Sequence, residues 1–374
     1  MNKNIVACLR RQTTMSKRKR KKEDKLDKII DFGRQLFAAI LRSRTGALTE
    51  LARLLRFQTG TKGFEREYDN LLPLINSIKE AFRKSVLEKL PLEGLRLGIF
   101  DDSDIEKTGK TFPKQKTQHN HSTGSFYSGM KVFSSAVYQN GKMSAVDSCL
   151  VGENDNKLEV AKKSVDMLIV DFLVNIFLFD CWYCKNPLIQ HIQDKGKLFV
   201  SRLRRDTKAE FGEDEERIDA LFKNMPHKEY ERIKINGKSY WIKDIAFDLK
   251  AYGALRVVVS KESQHAEPIF LITNAYNFTS QFIVKLYLKR FCIEVFFKDA
   301  KQFLNFETFL CRKECKWDMH LLLTNVLHWA IQLKHSISKT VRAIREDIAD
   351  CLLFINQNPL IEKFFEELRK RGLT

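Results

Sequence analysis

Two short apolar runs, each stopping at aspartate, constrain this chain more than any other feature. Leu95-Arg96-Leu97-Gly98-Ile99-Phe100 stops at Asp101-Asp102, and Asn175-Ile176-Phe177-Leu178-Phe179 stops at Asp180. Runs this short and apolar read as buried strands. Between and after them, Lys131–Tyr138 and Lys142–Leu150 read as strands joined at Asn140-Gly141, a strong hairpin signal. Lys157–Phe172 reads as a helix, Pro187–Gln193 as a short helix and Lys197–Leu203 as a strand. The order strand, hairpin, helix, strand, helix, strand predicts a mixed α/β domain with helices packed on its sheet.

Helical periods flank this region. Ile29, Ile30, Phe32, Leu36, Phe37, Ile40 and Leu41 recur at three and four spacings. So do Leu48, Leu51, Leu54, Leu55 and Phe57, and then Leu71, Leu72, Leu74, Ile75, Ile78 and Phe82. Thr59-Gly60-Thr61-Lys62-Gly63 lies between the last two patterns as a turn signal, which fits either a helix-turn-helix unit or a plain helical bundle. Residues 206–270 break the rhythm: Glu213–Asn224 reads as a charged helix. Glu231–Ile235, Ser239–Leu249, Ala254–Ser260 and Pro268–Thr273 read as consecutive strands of a β-rich insertion. From Thr279 the helical period persists nearly to the end. Leu360, Ile361, Phe364, Phe365 and Leu368 there either close the core or join two protomers.

Lys plus Arg number 65 against 47 Asp plus Glu, a formal charge of +18. That excess points to a polyanion, either nucleic acid or an acidic membrane surface. The greasiest windows, Met167–Phe179 and Leu321–Leu333, are interrupted by Asp171 and Asn175 and by Thr324, Asn325, His328 and Gln332. Neither reaches the roughly 18 clean apolar residues of a membrane span, so no membrane partner is expected. The first residues offer no apolar stretch ending in small residues, so no secretory signal is read there. Lys17, Arg18, Lys19, Arg20, Lys21 and Lys22 form an unbroken basic run. Residues 1–24 then read as a flexible arm laid on phosphates, as a solvated tail, or as a nuclear-localisation signal. The eight scattered cysteines fit reduced thiols in a cytosolic compartment.

A third chemical feature lies on Gln281–Phe303, read as one helix capped by Thr279 or Asn277. Tyr287, Arg290, Glu294 and Lys301 stand at offsets 0, 3, 7 and 14, which an ideal helix gathers within an arc of about 60°. Such a stripe is either a polar face stitched by ion pairs or part of a site. Taken with the two strand-end aspartates, Glu294 completes a set of hard oxygen ligands suited to two Mg²⁺ ions.

The spacing Tyr287-x₂-Arg290-x₃-Glu294-x₆-Lys301 resembles the Y–R–E–K signature of DDE transposases of bacterial insertion sequences. Ile99-Phe100-Asp101-Asp102-Ser103, followed by Glu106-Lys107-Thr108-Gly109, resembles the strand carrying that family's first catalytic aspartate. Phe179-Asp180-x-Trp182-Tyr183 resembles the second, and Gly129 with the strand after it is similar to the family's second strand. The resemblance covers roughly residues 94–335. It implies an RNase H-like catalytic domain over 94–338 with a β-rich insertion at about 206–275. A helical DNA-binding domain over 25–93 precedes it and C-terminal helices over 339–374 follow. It implies Asp102, Asp180 and Glu294 as catalytic and metal ligands, with Asp101 the alternative first ligand. Asp102 is preferred because it directly precedes a hydroxyl residue, Ser103. Mg²⁺ is the implied cofactor, as two ions for which Mn²⁺ substitutes. Tyr287, Arg290, Lys301 and the Lys17–Lys22 run would contact DNA.

The implied activity is cleavage and strand transfer at terminal inverted repeats, by in-line displacement at phosphorus. The implied partners are double-stranded DNA at the transposon ends and target, and a second copy of the chain; the implied place is a bacterial cytoplasm, at the nucleoid. Some transposases it resembles pass through a hairpin end with a flipped base. Trp241 is the candidate to stack that base, or else simply packs the insertion. The competing readings are a DNA-binding regulator that no longer catalyses and a structure-selective nuclease on the same fold. Other constellations carry less. Cys181-x-x-Cys184 has redox spacing without a thioredoxin-like context, and joining Cys311 and Cys315 to it makes an ill-spaced zinc set. His119 and His121 sit in a polar loop. Gly109-Lys110-Thr111 ends like a P-loop, but Asp104 stands where the first glycine belongs, so no nucleotide cofactor is expected.

Overall fold

A computed structural model describes residues 3–56, 60–109, 111–119, 124–211, 214–223, 225–249, 251–263, 265–332, 337–344 and 347–371. Phe57, Thr59, Lys110 and His121 lie outside these. The chain divides into two units: residues 1–89 with 106–113 and 298–374, and residues 90–105 with 114–297.

The chain opens with helices α1 (Lys3–Arg42), α2 (Leu48–Leu54), α3 (Gly60–Leu71) and α4 (Ile75–Leu87). The recurring apolar positions go inside: Ile30, Leu36, Phe37, Ile40 and Leu41 on α1 are buried, as are Phe64 and Tyr68 on α3. Two expectations change. The Lys17–Lys22 run lies within α1, so its backbone is helical and not a flexible arm. The expected turn at Thr59–Gly63 is displaced, since Gly60 opens α3 at φ +64° and Gly63 is buried inside it.

The second unit is built on one sheet. Its elements are β1 (Leu97–Glu106), β2 (Lys116–His119), β3 (Phe126–Gln139), β4 (Lys142–Val151), α5 (Lys157–Phe172), β5 (Ile176–Phe179), α6 (Asn186–Asp194) and β6 (Leu198–Arg202). After these come β7 (Lys208–Phe211), β8 (Asp214–Arg217), α7 (Ile218–Lys223), β9 (Glu231–Ile235), β10 (Lys238–Leu249), β11 (Gly253–Lys261) and β12 (Ile269–Thr273). Among the described residues the strands run β2-β3-β1-β5-β6-β12-β11-β10-β7-β8, with β4 on β3 and β9 on β10. β5 pairs parallel to both β1 and β6, giving the mixed sheet the order of elements predicted. Asn140 and Gly141 carry φ of 48° and 84° in the β3–β4 turn, the left-handed pair a two-residue hairpin requires. Gly129 is needed for a different reason: a Cβ there would stand 2.5 Å from the Ile105 carbonyl oxygen.

Three sequence expectations shift here. β1 does not stop at Asp101-Asp102 but continues to Glu106, with Ile105 buried. The charged stretch read as a helix begins as strand β8 and turns helical only at Ile218. The β-rich stretch is present but is not set apart from the sheet, because β12 pairs antiparallel with β6 through Leu271–Arg202, Ile272–Ser201 and Thr273–Val200.

Helix α8 (Ser280–Tyr287) then leads through a 3₁₀ turn, Leu288–Arg290, into α9 (Phe291–Phe303). Thr279 caps α8, its hydroxyl accepting from the Phe282 amide at 3.2 Å. The chain finishes with α10 (Glu314–Gln332), α11 (Ile337–Ile344), α12 (Ile348–Gln357) and α13 (Pro359–Arg371). These helices share a unit with α1–α4, so N-terminal and C-terminal helical regions are one body and not two. Phe37 packs on Phe365 at 5.8 Å between ring centres, Arg34 pairs with Glu362 at 2.7 Å, and Lys84 pairs with Glu367 at 3.0 Å. α10 is buried over nearly its whole length, from Lys316 to Ile331, which explains its apolar sequence without a bilayer. Among the described residues no helix is long and apolar enough to cross a membrane.

Candidate active site

The sheet register decides which aspartates face one another. β1 and β5 are matched Leu97–Ile176, Gly98–Phe177 and Ile99–Leu178. Extending that ladder sets Phe100 beside Phe179 and Asp101 beside Asp180. The rings agree: Phe100 stacks on Phe179 at 5.1 Å, 9° from parallel. Side chains alternate along a strand, so the two phenylalanines lie on one face and Asp101 and Asp180 on the other. Both carboxylates also make the same local bond. Asp101 Oδ1 accepts the Asp102 amide at 2.8 Å, and Asp180 Oδ1 accepts the Cys181 amide at 2.5 Å.

The 3₁₀ turn packs against β5 and brings Arg290 to this face. The guanidinium, nearly buried, donates to Asp101 Oδ2 at 2.8 Å and to Glu294 Oε1 at 2.5 Å. Tyr287 is buried under the same guanidinium, 5.6 Å from its ring centre. The expectation of a single helix from Gln281 to Phe303 is therefore corrected: the tighter turn between α8 and α9 seats Arg290 against β5. Tyr287, Arg290 and Glu294 do gather as the spacing predicted. Lys301 belongs to the helical unit, where Glu307 lies 3.9 Å from its ammonium.

Asp102 sits on the opposite face from Asp101. Its carboxylate accepts Lys157 Nζ at 2.8 Å, Lys131 Nζ at 2.8 Å and the Tyr183 hydroxyl at 2.9 Å. Lys131 also reaches Asp104 at 2.6 Å. Trp182 covers this cluster, its ring centre 3.6 Å from Lys157 Nζ. The preference for Asp102 over Asp101 is thus not supported by the geometry, since Asp102 is spent on two lysines and a tyrosine. The repeated Phe-Asp pair at residues 100–101 and 179–180 is the sequence trace of the alternative, Asp101. Lys131 and Lys157 carried no signal, because a lysine opening a strand or a helix is ordinary.

The electrostatics separate the two faces. Burial pushes the Asp101 carboxyl up to about 7, against the pull of Arg290 and with a push from the Asp102 and Asp180 charges. Burial alone would raise Asp102 as well, but Lys157 and Lys131 hold it below its ordinary value. Burial works to lower Arg290, yet Tyr287, Asp101, Glu294 and Asp180 hold it well above the ordinary arginine value. Burial lifts Tyr287 to about 12, so it stays a neutral donor. Among the described residues no three His, Cys, Asp or Glu side chains converge closely enough to hold a metal ion as they stand. Arg290 occupies the space between two of the three carboxylates. The donor chemistry nevertheless fits a hard divalent cation: a carboxylate as costly to ionise as Asp101 gains more from a nearby cation than an exposed one would.

The remaining candidates fall elsewhere. Trp241, on β10, is half-buried beside His227 at 5.4 Å and under Arg232 at 5.5 Å, and borders an open cavity of about 260 Å³. Burial and the Asp180 charge push Cys181 up to about 11, and burial takes Cys184 to about 12, the opposite of activated thiols. His119 packs edge-on against Phe126 at 5.1 Å.

With this geometry in hand, the comparisons add one match. The model of the family described as Transposase DDE domain matches residues 93–328, a span that holds Asp101, Asp180, Arg290 and Glu294. No curated protein matches the chain.

Proposed function

The chain belongs to the DDE transposase family, and from that premise we propose that it cuts and joins DNA with Asp101, Asp180 and Glu294 as its carboxylates. We place it in the Y–R–E–K group of bacterial insertion sequences, acting at terminal inverted repeats with two copies pairing two ends. One observation supports the assignment: Arg290 bridges Asp101 and Glu294, with Asp180 near enough for its charge to act on both Asp101 and Arg290.

DDE transposases use divalent metal ions. Asp101, Asp180 and Glu294 would hold them, as two Mg²⁺ replaceable by Mn²⁺. Such ions supply activation of the attacking water or 3′-hydroxyl and stabilisation of the leaving oxygen. The chain's own residues do the rest. The parallel β1–β5 ladder fixes the spacing of Asp101 and Asp180. Arg290 neutralises the carboxylates in the free protein, and its fork suits a phosphate once one of them is engaged elsewhere. Tyr287, kept neutral by burial, offers a hydroxyl toward the same group. No side chain is asked to act as a covalent nucleophile. Trp241, beside an open cavity in the β-rich stretch, supports a stacked flipped base and hence a hairpin end.

The test is cleavage of a plasmid carrying the gene and its flanking DNA, with Mg²⁺ or Mn²⁺, breaks being mapped to the nucleotide. Paired breaks at inverted repeats are expected from the wild type. Glu294→Gln and Asp101→Asn should lose cleavage by at least about 10³-fold while still binding. Asp102→Asn, if folded, should keep cutting. A dead but folded Asp102→Asn beside an active Asp101→Asn would reverse the assignment. Footprints at the repeats without breaks would favour a binding-only regulator, and breaks unrelated to the repeats a nuclease.

A further inference from the structure

The loop leaving β6 and the β7–β8 hairpin enclose an open cavity of about 390 Å³ walled largely by arginine. Arg202, Arg204, Arg205 and Arg217 line it together with Asp206 and Asp219. Arg205 is also paired with Glu267 at 2.6 Å, so four guanidinium groups against three carboxylates leave a local charge of +1. Cys181 borders the same cavity, which therefore begins one residue from Asp180. Arg202 lies near enough for its charge to act on both Tyr287 and Cys181. The walls are stapled by main chain: the Thr207 amide donates to Arg204 O at 3.2 Å, Ile218 to Thr207 O at 2.9 Å and Asp219 to Arg205 O at 3.1 Å. The arginines are thus carried on a hydrogen-bonded frame although their tips are open to solvent.

Two of them repeat one device. Arg204 donates Nε and Nη2 to the two oxygens of Asp206 at 3.0 and 2.8 Å. Arg217 does the same to Asp219 at 3.0 and 2.6 Å. In each pair the aspartate stands two residues after the arginine and takes it fork to fork, the geometry in which guanidinium also binds phosphate. Exposed pairs of this kind contribute little to folding, so stability does not account for building the device twice in one cavity. Arg202, by contrast, has no carboxylate partner among the described residues.

We propose that this cavity binds backbone phosphates of the DNA strand beside the catalytic carboxylates. Asp206 and Asp219 occupy the forks of Arg204 and Arg217 when no DNA is present. This rests on the reading of the adjacent site as a DNA-cutting centre. Binding is then an exchange of one bidentate anion for another, and the two aspartates act as built-in competitors. They hold the arginines extended and lower the affinity for DNA that would otherwise follow from four clustered arginines.

A competitor has a signature that an ordinary contact lacks, because removing it strengthens binding. The full-length protein is titrated with a short duplex by fluorescence anisotropy over a series of salt concentrations. Asp206→Asn/Asp219→Asn should bind several-fold tighter than wild type, and tighter than Glu93→Gln/Glu153→Gln, the same change of charge at exposed positions elsewhere in the unit. Arg204→Ala/Arg217→Ala should bind more weakly and flatten the plot of log K against log salt by about 2, at about 0.9 per phosphate contact. Arg204→Lys/Arg217→Lys should keep the slope and lose affinity, since the charge stays and the fork goes. Melting curves check that each variant is folded. The inference is overturned if the aspartate variant binds no better than the glutamate control, or if the arginine variant keeps the wild-type slope. A wild type that cuts DNA through Glu294 alongside either result removes this cavity from the mechanism and leaves the catalytic reading intact. A wild type that neither binds nor cuts DNA takes both down.

Discussion

Asp101→Asn should make the metal-free protein more stable at alkaline pH and hardly alter it in acid. The carboxyl is buried on the sheet and titrates near 7, against an ordinary value of 3.8. In the unfolded chain it gives up its proton near 3.8, whereas the folded chain keeps the proton to about 7. Over that interval the folded state binds more protons, so stability falls as pH rises, and above 7 the whole penalty is present. At about 1.36 kcal/mol per pH unit the penalty totals about 4 kcal/mol, of which roughly 2.5 accrues above about pH 5. For a unit of this size about 1 kcal/mol moves the melting temperature by about 2–4 °C. The gap between Asp101→Asn and wild type should therefore widen by roughly 5–10 °C between about pH 5 and about pH 8.5. Thermal melts with chelator, followed by tryptophan fluorescence, read it directly. Mg²⁺ or Mn²⁺ added at alkaline pH should raise the wild-type melting temperature and leave Asp101→Asn nearly where it was. A pH-independent gap, or a variant less stable throughout, would refute the claim that Asp101 is held ionised at a cost.

Other perturbations test other parts of the structure. Gly129→Ala pushes a methyl to 2.5 Å from the Ile105 carbonyl; a loss of about 1–3 kcal/mol is expected by urea unfolding, and an unchanged midpoint would mean β3 and β1 are less tightly joined. Phe100→Ala empties the ring stack with Phe179, Phe133 and Tyr183, for which about 3–5 kcal/mol is the usual cost; a loss below about 1 kcal/mol would show that the stack collapses to refill the space. Burial lowers His320 to about 4 from 6.5. The unfolded chain takes up that proton first as pH falls, so stability should decline by roughly 3 kcal/mol between 6.5 and 4. Comparing urea midpoints of wild type and His320→Gln across that range isolates the effect, and parallel curves would rule it out.

Much of the architecture was legible because local and global signals coincide. Helix α5 spans Lys157–Phe172, the Asn140-Gly141 hairpin forms, and β5 stops at Phe179, all as the pattern implied. Where reading failed, a tertiary partner had overruled the local pattern. The break between α8 and α9 follows from seating Arg290 against β5, which no periodicity records. The continuation of β1 past Asp102 reflects its neighbour β3 and the buried Ile105, and polar residues alone masked it. The joining of N-terminal and C-terminal helices into one unit depends on contacts such as Phe37 with Phe365, more than 300 positions apart. At the site, the grouping of Tyr287, Arg290 and Glu294 was legible in their spacing, whereas the choice of Asp102 rested on the following Ser103 and carried no sign of the lysines that pair with it. Parity along the strand, visible in the two Phe-Asp pairs, is what sets Asp101 and Asp102 on opposite faces.

The seam between β12 and β6 also limits how this chain can be cut. Removing the β-rich stretch as though it were a cassette would strip β6 of its antiparallel neighbour along Val200, Ser201 and Arg202. A bare edge of that kind offers unpaired amides and carbonyls to any other strand. A shortened chain should therefore come out of expression as aggregate or as swapped oligomers, however well its carboxylates are preserved. Trimming the hairpin β7–β8 instead, at the far end of the sheet, leaves that seam closed.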